Sequence, residues 1–172
     1  MIVRIIGMVL IFTSASALGF GAAMRVRTTR NQLQGLDDAL GMMACELRYA
    51  MTTLPGLCGA VANVATGAIG ELFRELSRAL CRSDLQSPEA AMREAIDKTK
   101  RLCLPQDIIF CLLELGQNLG QFDVEGQLAV IEQSRQRIRA CLSQYAADAP
   151  QRCKSYRTLG ICAGMALVIL ML

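Results

Sequence analysis

The side chains that could carry chemistry in this sequence are cysteines and carboxylates, because the chain has no histidine. Without an imidazole, neither a Ser-His-Asp nor a Cys-His arrangement can form. An acid/base pair could come from Glu71, Glu75, Glu114 or Asp123. Carboxylates at such scattered positions more often serve solvated helix faces, caps and ion pairs. The sequence therefore predicts a protein without catalytic residues, and not an enzyme.

Metal and cofactor sites are not expected either. The chain has eight cysteines but no CxxC pair, whereas four-cysteine zinc sites show closely spaced ligand pairs. No phosphate-binding glycine loop ends in Lys-Ser/Thr. We interpret the thiols as reduced packing groups of a cytoplasmic protein, with a disulfide framework as the alternative. They are Cys45, Cys58, Cys81, Cys103, Cys111, Cys141, Cys153 and Cys162.

An uncharged apolar run from Ile5 to Ala23 stands near the start of the chain. As a helix it spans about 28 Å, close to the hydrocarbon thickness of a bilayer. A cleaved signal peptide would carry its positive charges before the apolar core, whereas here most of them follow it. We therefore predict an uncleaved transmembrane anchor over residues 1–24, with the next residues in the cytoplasm. The flanking cations are Arg25, Arg27 and Arg30.

A second uncharged run, from Thr158 to Leu172, is preceded by cations, so both ends place the middle of the chain on the cytoplasmic side. A helix from Tyr156 reaches roughly 25 Å, which suffices if Arg157 snorkels and the bilayer thins. We predict a short transmembrane segment over 157–172, with a partly inserted tail as the alternative. The residues expected at this flank are Lys154, Tyr156 and Arg157.

Small residues recur at four-residue spacing in both apolar runs. Such stripes let helices approach closely inside a membrane. The two stripes could dock on each other, and ordinary lipid-facing sequence is an equally good interpretation. The residues concerned are Ala15, Gly19 and Ala23 in the first run, and Gly160 and Gly164 in the second.

Between the runs, apolar residues recur every three or four positions, as in amphipathic helices. Proline and glycine breaks divide residues 25–156 into about five to six helices, one of them expected from Leu57 to about Arg82 with Val64 on its buried face. Aromatic residues make up only 5% of the chain, which argues against a sheet. The predicted fold is all-α, a cytoplasmic helical bundle between two membrane segments. A net charge of +3 is too slight for a nucleic-acid binder.

One charged residue, Arg135, falls on the heptad seam of the last long helix, which is expected from Val124 to Tyr145. Its side chain should either snorkel or pair with an acid. A solvated stem that covers apolar surface is favoured over a role in partner binding.

Two short segments carry a family resemblance. LGQNLGQFD at residues 115–123 and KSYRTLG at 154–160 resemble motifs of stage III sporulation protein AB, and the resemblance extends over essentially the whole chain. That family is similar in turn to the cytoplasmic domain of type II secretion and type IV pilus platform proteins, where a Gly-Glu-x-x-Gly turn occurs. Here Gln117 replaces the acid. The resemblance implies a structural or partner-binding turn made by Leu115, Gly116, Leu119, Gly120 and Asp123.

The resemblance also implies a function. It indicates a non-enzymatic platform subunit of a sporulation-specific, secretion-like channel complex, located in the mother-cell membrane around the forespore. Its implied partners are a cytoplasmic ATPase, stage III sporulation protein AA, and other stage III sporulation membrane subunits, while self-association is left open. The alternative is an extracytoplasmic, disulfide-stapled, membrane-anchored interaction module. A third hypothesis is a membrane-bound enzyme that acts through carboxylates.

Overall fold

The structure, a computed structural model, describes residues 24–49, 53–82, 87–120 and 123–145, together with the helical backbone of residues 2–23. Over these residues the fold is all-helical, which confirms the predicted fold class. The helices are α1 (Ile2–Tyr49), α2 (Leu54–Val64), α3 (Gly67–Cys81), α4 (Pro88–Lys98), α5 (Gln106–Asn118) and α6 (residues 124–145). The chain divides into two compact units, one of Met1–Thr28 with Ser143–Leu172, and one of Thr29–Leu142. The second unit is called the bundle below.

The first helix of the bundle has the buried seam that its spacing predicts. Leu33, Leu36, Leu40 and Met43 are fully buried, because steps of three and four place them on one face of α1. The central residues of the other helices complete the same core, and each is at most 2% exposed. They include Leu57, Leu72, Phe73, Met92, Leu112, Leu115, Ile131 and Ile138.

Local sequence signals also fix where α4 begins. The hydroxyl of Ser87 accepts a hydrogen bond from the amide of Ala90 at 3.2 Å. Pro88 occupies the first turn, where its missing amide costs nothing, and Glu89 faces the positive end of the helix dipole. These three residues form the helix start that the sequence indicates.

The prediction of one helix from Leu57 to about Arg82 is wrong, since the structure has two helices there. Ala65 and Thr66 adopt extended backbone conformations and separate α2 from α3. Gly67 then takes a φ of +64°, a left-handed conformation that glycine adopts readily. As a consequence Val64 is 64% exposed, although its spacing predicted a buried position.

No helix within the described part of the chain is long and apolar enough to cross a membrane. The predicted segment over 157–172 lies outside the described residues. Of residues 1–23 the structure describes only the helical backbone, as part of α1. Both predicted membrane segments therefore stay predictions.

Candidate functional site

The family-motif turn lies between α5 and α6 and closes the end of α5. Leu115 and Leu119 are 1% and 3% exposed, and the Leu119 amide donates to the Leu115 carbonyl at 2.9 Å. Gly120 follows with a φ of +86°, which a residue with a side chain rarely adopts. Gly120 therefore reverses the chain, while the two leucines hold the turn on the core.

The other two motif residues pack and cap. A Cβ added at Gly116 would lie 3.0 Å from Met92 Cβ and 3.3 Å from Glu89 Cα, so glycine lets α5 approach the first turns of α4. Asp123 caps α6, because its Oδ1 accepts from the Gly126 amide at 3.0 Å. The geometry thus gives each motif residue a structural task. Packing and capping account for the motif pattern without a catalytic or ligand-binding role.

The outward face of α5 carries the position where the platform-protein turn has its acid. Gln117 is exposed there, at helical spacing from Glu114 and from Phe110, which is 67% exposed. Glu114 forms an ion pair with Arg137 of α6, and the hydrogen bond that the Arg137 guanidinium donates to this carboxylate raises the pKa of Arg137 above its ordinary value. This face presents an aromatic side chain beside a neutralised charge pair.

A partly buried cluster of carboxylate and guanidinium groups joins α1 to α6. The Nε of Arg135 donates to Asp37 Oδ1 at 3.0 Å, and the Nε of Arg139 donates to Asp37 Oδ2 at 3.0 Å. Arg135 Nη1 also donates to Glu132 Oε2 at 3.1 Å. The side chains of Asp37 and Arg135 are only 17% and 19% exposed. Of the two options that the sequence left open for Arg135, pairing with an acid is the one observed.

These contacts set the direction of α6 against its neighbours. Arg135 lies against Gly41, with Nη2 3.1 Å from an added Cβ, while Arg139 reaches back to Asp37, so α1 and α6 run antiparallel. The pairing of Glu114 with Arg137 also joins α5 to α6.

The chain consequently enters and leaves the bundle at the same end. We call this the entry end, formed by residues 29–32, 99–107 and 139–142. It is held together by Gln32, whose Nε2 donates to the Arg101 carbonyl at 2.8 Å and whose Oε1 accepts from the Cys103 amide at 2.6 Å. Gln32 was not singled out from the sequence, because nothing in its neighbourhood indicates a partner near residue 101.

The predicted membrane residues fall partly within the described chain. Arg25, Arg27 and Arg30 are exposed along α1, and Arg30 belongs to the entry end. Of the small residues predicted to pack inside the membrane, the side chains of Ala15, Gly19 and Ala23 lie outside the described residues. The remaining predicted flank and packing residues also lie outside them. Those are Lys154, Tyr156, Arg157, Gly160 and Gly164.

Three of the four candidate carboxylates, Glu75, Glu114 and Asp123, have a charged or backbone partner in the structure. Glu75 pairs with Arg78, and among the described residues no group of cysteines and acids could hold a metal ion. A shallow depression of about 550 Å³ over α4 is lined by both acidic and basic side chains of that helix. There Lys98 approaches Glu94 at 2.6 Å and its hydrogen bond lowers the pKa of Glu94. These are solvated ion pairs on a helix face.

Comparison with known proteins gives a consistent result. The family model described as stage III sporulation protein AB matches residues 4–172. A solved structure of a stage III sporulation protein AB (SpoIIIAB) is similar with a TM-score of 0.63 and 24% identity, over 73% of this chain and 96% of that chain. At that identity the likeness establishes a shared fold. No curated protein matches the sequence.

Proposed function

The chain belongs to the stage III sporulation protein AB family, and we propose that it is a non-enzymatic platform subunit of a sporulation-specific channel complex. In this role, residues 1–24 and 157–172 hold it in the mother-cell membrane around the forespore, with the bundle in the cytoplasm. The bundle positions a cytoplasmic ATPase, of the stage III sporulation protein AA type, relative to membrane channel subunits during endospore formation.

The observation that carries this proposal is the shared entry end. Because α1 and α6 run antiparallel through the Asp37 contacts, Thr29 and Leu142 lie at one end of the bundle. Two membrane segments can then hold the bundle on one leaflet, and neither connection has to cross its length. In this arrangement the opposite end of the bundle, where Leu119 and Gly120 follow α5, faces away from the leaflet.

The described surface suits a scaffold better than an enzyme. Part of its charge is arranged in complementary pairs, such as Arg93 with Glu89 at 3.2 Å and Arg82 with Glu94 at 3.0 Å. Exposed pairs of this kind contribute little to stability, but their pattern can steer and select a partner. In this role the bundle provides surfaces for binding partners and carries out no catalytic step.

Sidedness is the first test of this proposal. With the protein produced in non-sporulating cells, where its membrane faces the medium, we expect a membrane-impermeant maleimide to label Cys45 in inside-out vesicles but not in intact cells, because Cys45 is exposed on α1 within the bundle. The other accessible cysteines are replaced beforehand. Buried Cys58 serves as the internal control, since burial raises its pKa to about 12 and keeps it a thiol. Labelling of Cys45 in intact cells would place the bundle outside the cytoplasm and overturn the proposal.

Capture of the ATPase is the second test. Reversing the charges of Glu71 and Glu75 on α3 is expected to weaken co-purification of stage III sporulation protein AA by about tenfold, or about 1.4 kcal/mol, if this face meets a basic surface. The D38K/D97K variant is the matched control, because it makes the same change of net charge at two exposed acids, on α1 and α4, that have no ion pair among the described residues. Circular dichroism checks that both proteins are folded. Unchanged co-purification of the α3 variant would contradict this assignment of the binding face.

A further inference from the structure

We propose that the turn between α4 and α5 is a second contact with the membrane, in which Lys100 and Arg101 together with Arg30 of α1 bind anionic phospholipid headgroups. These three residues are called the cationic surface. The inference rests on the proposed function, because it requires residues 1–24 to be inserted in a bilayer.

The turn is fixed in place by the structure. Its backbone is bound to α1 through both ends of the Gln32 amide, at 2.8 Å to the Arg101 carbonyl and 2.6 Å to the Cys103 amide. Thr99 is buried, and its hydroxyl donates to the Ala95 carbonyl at 2.8 Å. The turn therefore presents its charges from a preorganised backbone, which lowers the entropy lost on binding.

The charges of this surface are not neutralised by ion pairs among the described residues. Arg30, Lys100 and Arg101 are exposed and form no ion pair with any residue that the structure describes. By contrast, Lys98, one turn earlier, is neutralised by Glu94. The nearest acids along the chain, Asp97 and Asp107, are exposed and leave the surface with a positive surplus.

The place of Arg30 in the sequence favours lipid as the partner. Arg30 stands six residues after the predicted anchor of residues 1–24, and the potential of an anionic leaflet extends about 10 Å from its surface. Gln32, two residues further along α1, binds the Arg101 carbonyl and the Cys103 amide, so the turn lies beside this part of α1. Each cation near such a surface strengthens binding roughly fivefold.

Cys103 provides a reporter, since it is exposed directly after the turn. The full-length protein carries a fluorophore on Cys103, with buried Cys58 and Cys111 retained and the remaining cysteines replaced by serine. It is reconstituted in nanodiscs of phosphatidylcholine, with or without phosphatidylglycerol, that contain a headgroup-quencher lipid. We expect quenching to increase with phosphatidylglycerol and to fall at high salt.

The variant K100E/R101E tests the charges, and R48E/R74E is its matched control. The control makes the same change of net charge at exposed arginines that have no ion pair among the described residues. We expect the first variant to lose the phosphatidylglycerol-dependent quenching and the control to keep it. Equal quenching in both lipids, equal behaviour of both variants, or a response only after an acidic protein is added would overturn the inference.

Carbonate extraction separates this inference from the proposed function. Protein that stays in the bilayer at alkaline pH without a phosphatidylglycerol response contradicts only the cationic surface. Protein that carbonate releases contradicts the membrane anchoring itself, and with it both proposals.

Discussion

Replacement of Gly70 by alanine is expected to destabilise the bundle by about 3 kcal/mol, although alanine is the better helix former. A Cβ at this position would lie 2.2 Å from the carbonyl oxygen of Ala65 and 2.9 Å from its carbonyl carbon. These are backbone atoms in the break between α2 and α3. As main-chain atoms they cannot move aside in the way that the far end of a flexible side chain can. The break would have to open.

The G59A variant is the matched control in the same helical hairpin. Its Cβ would lie 3.5 Å from Ser77 Oγ, an ordinary contact, so the change should be neutral or stabilise by up to about 1 kcal/mol. Both free energies of unfolding can be measured by denaturant titration of the full-length protein in detergent, followed by circular dichroism. Similar results for the two variants would mean that helix propensity alone matters, and would contradict the steric explanation.

The break between α2 and α3, which Gly70 permits, is also where the prediction from the sequence was wrong. Apolar residues continue at helical spacing from Val61 through Val64 and Ala68, so periodicity alone predicts one helix across residues 65 and 66. The interruption depends on the left-handed φ of Gly67 and on close contact of Gly70 with the preceding carbonyl. In the sequence alone, Gly67 and Gly70 cannot be told apart from glycines that are tolerated inside a helix.

Elements with local signals were predicted correctly. The buried seam of α1 and the start of α4 at Ser87 depend on spacing and capping within a few residues. The contacts that organise the entry end join distant residues instead, such as Gln32 with Cys103 and Asp37 with Arg135. An exposed glutamine and one acid among fifteen give no indication of their partners in a single sequence.

The D37A variant is expected to destabilise the bundle by about 2 kcal/mol. Arg135, only 19% exposed, would lose its carboxylate on α1 and keep only Glu132 on its own helix. The effect is smaller than for a fully buried pair, since water still reaches both side chains. Arg139, which is half exposed, should contribute little to the loss. D38A is the control, because Asp38 is exposed one position away and should change stability by less than about 0.5 kcal/mol.

A double-mutant cycle with R135M determines whether the pair itself is responsible. If the loss comes from an unpaired guanidinium, the D37A/R135M protein should be more stable than the sum of the single changes predicts, by about 1 to 2 kcal/mol. Methionine can cover the same apolar surface without a charge to satisfy. Strict additivity would mean that the core leucines of α1 and the isoleucines of α6 set the antiparallel arrangement alone. In that case the entry end would not depend on Asp37, and only packing would hold Thr29 and Leu142 at the same end of the bundle.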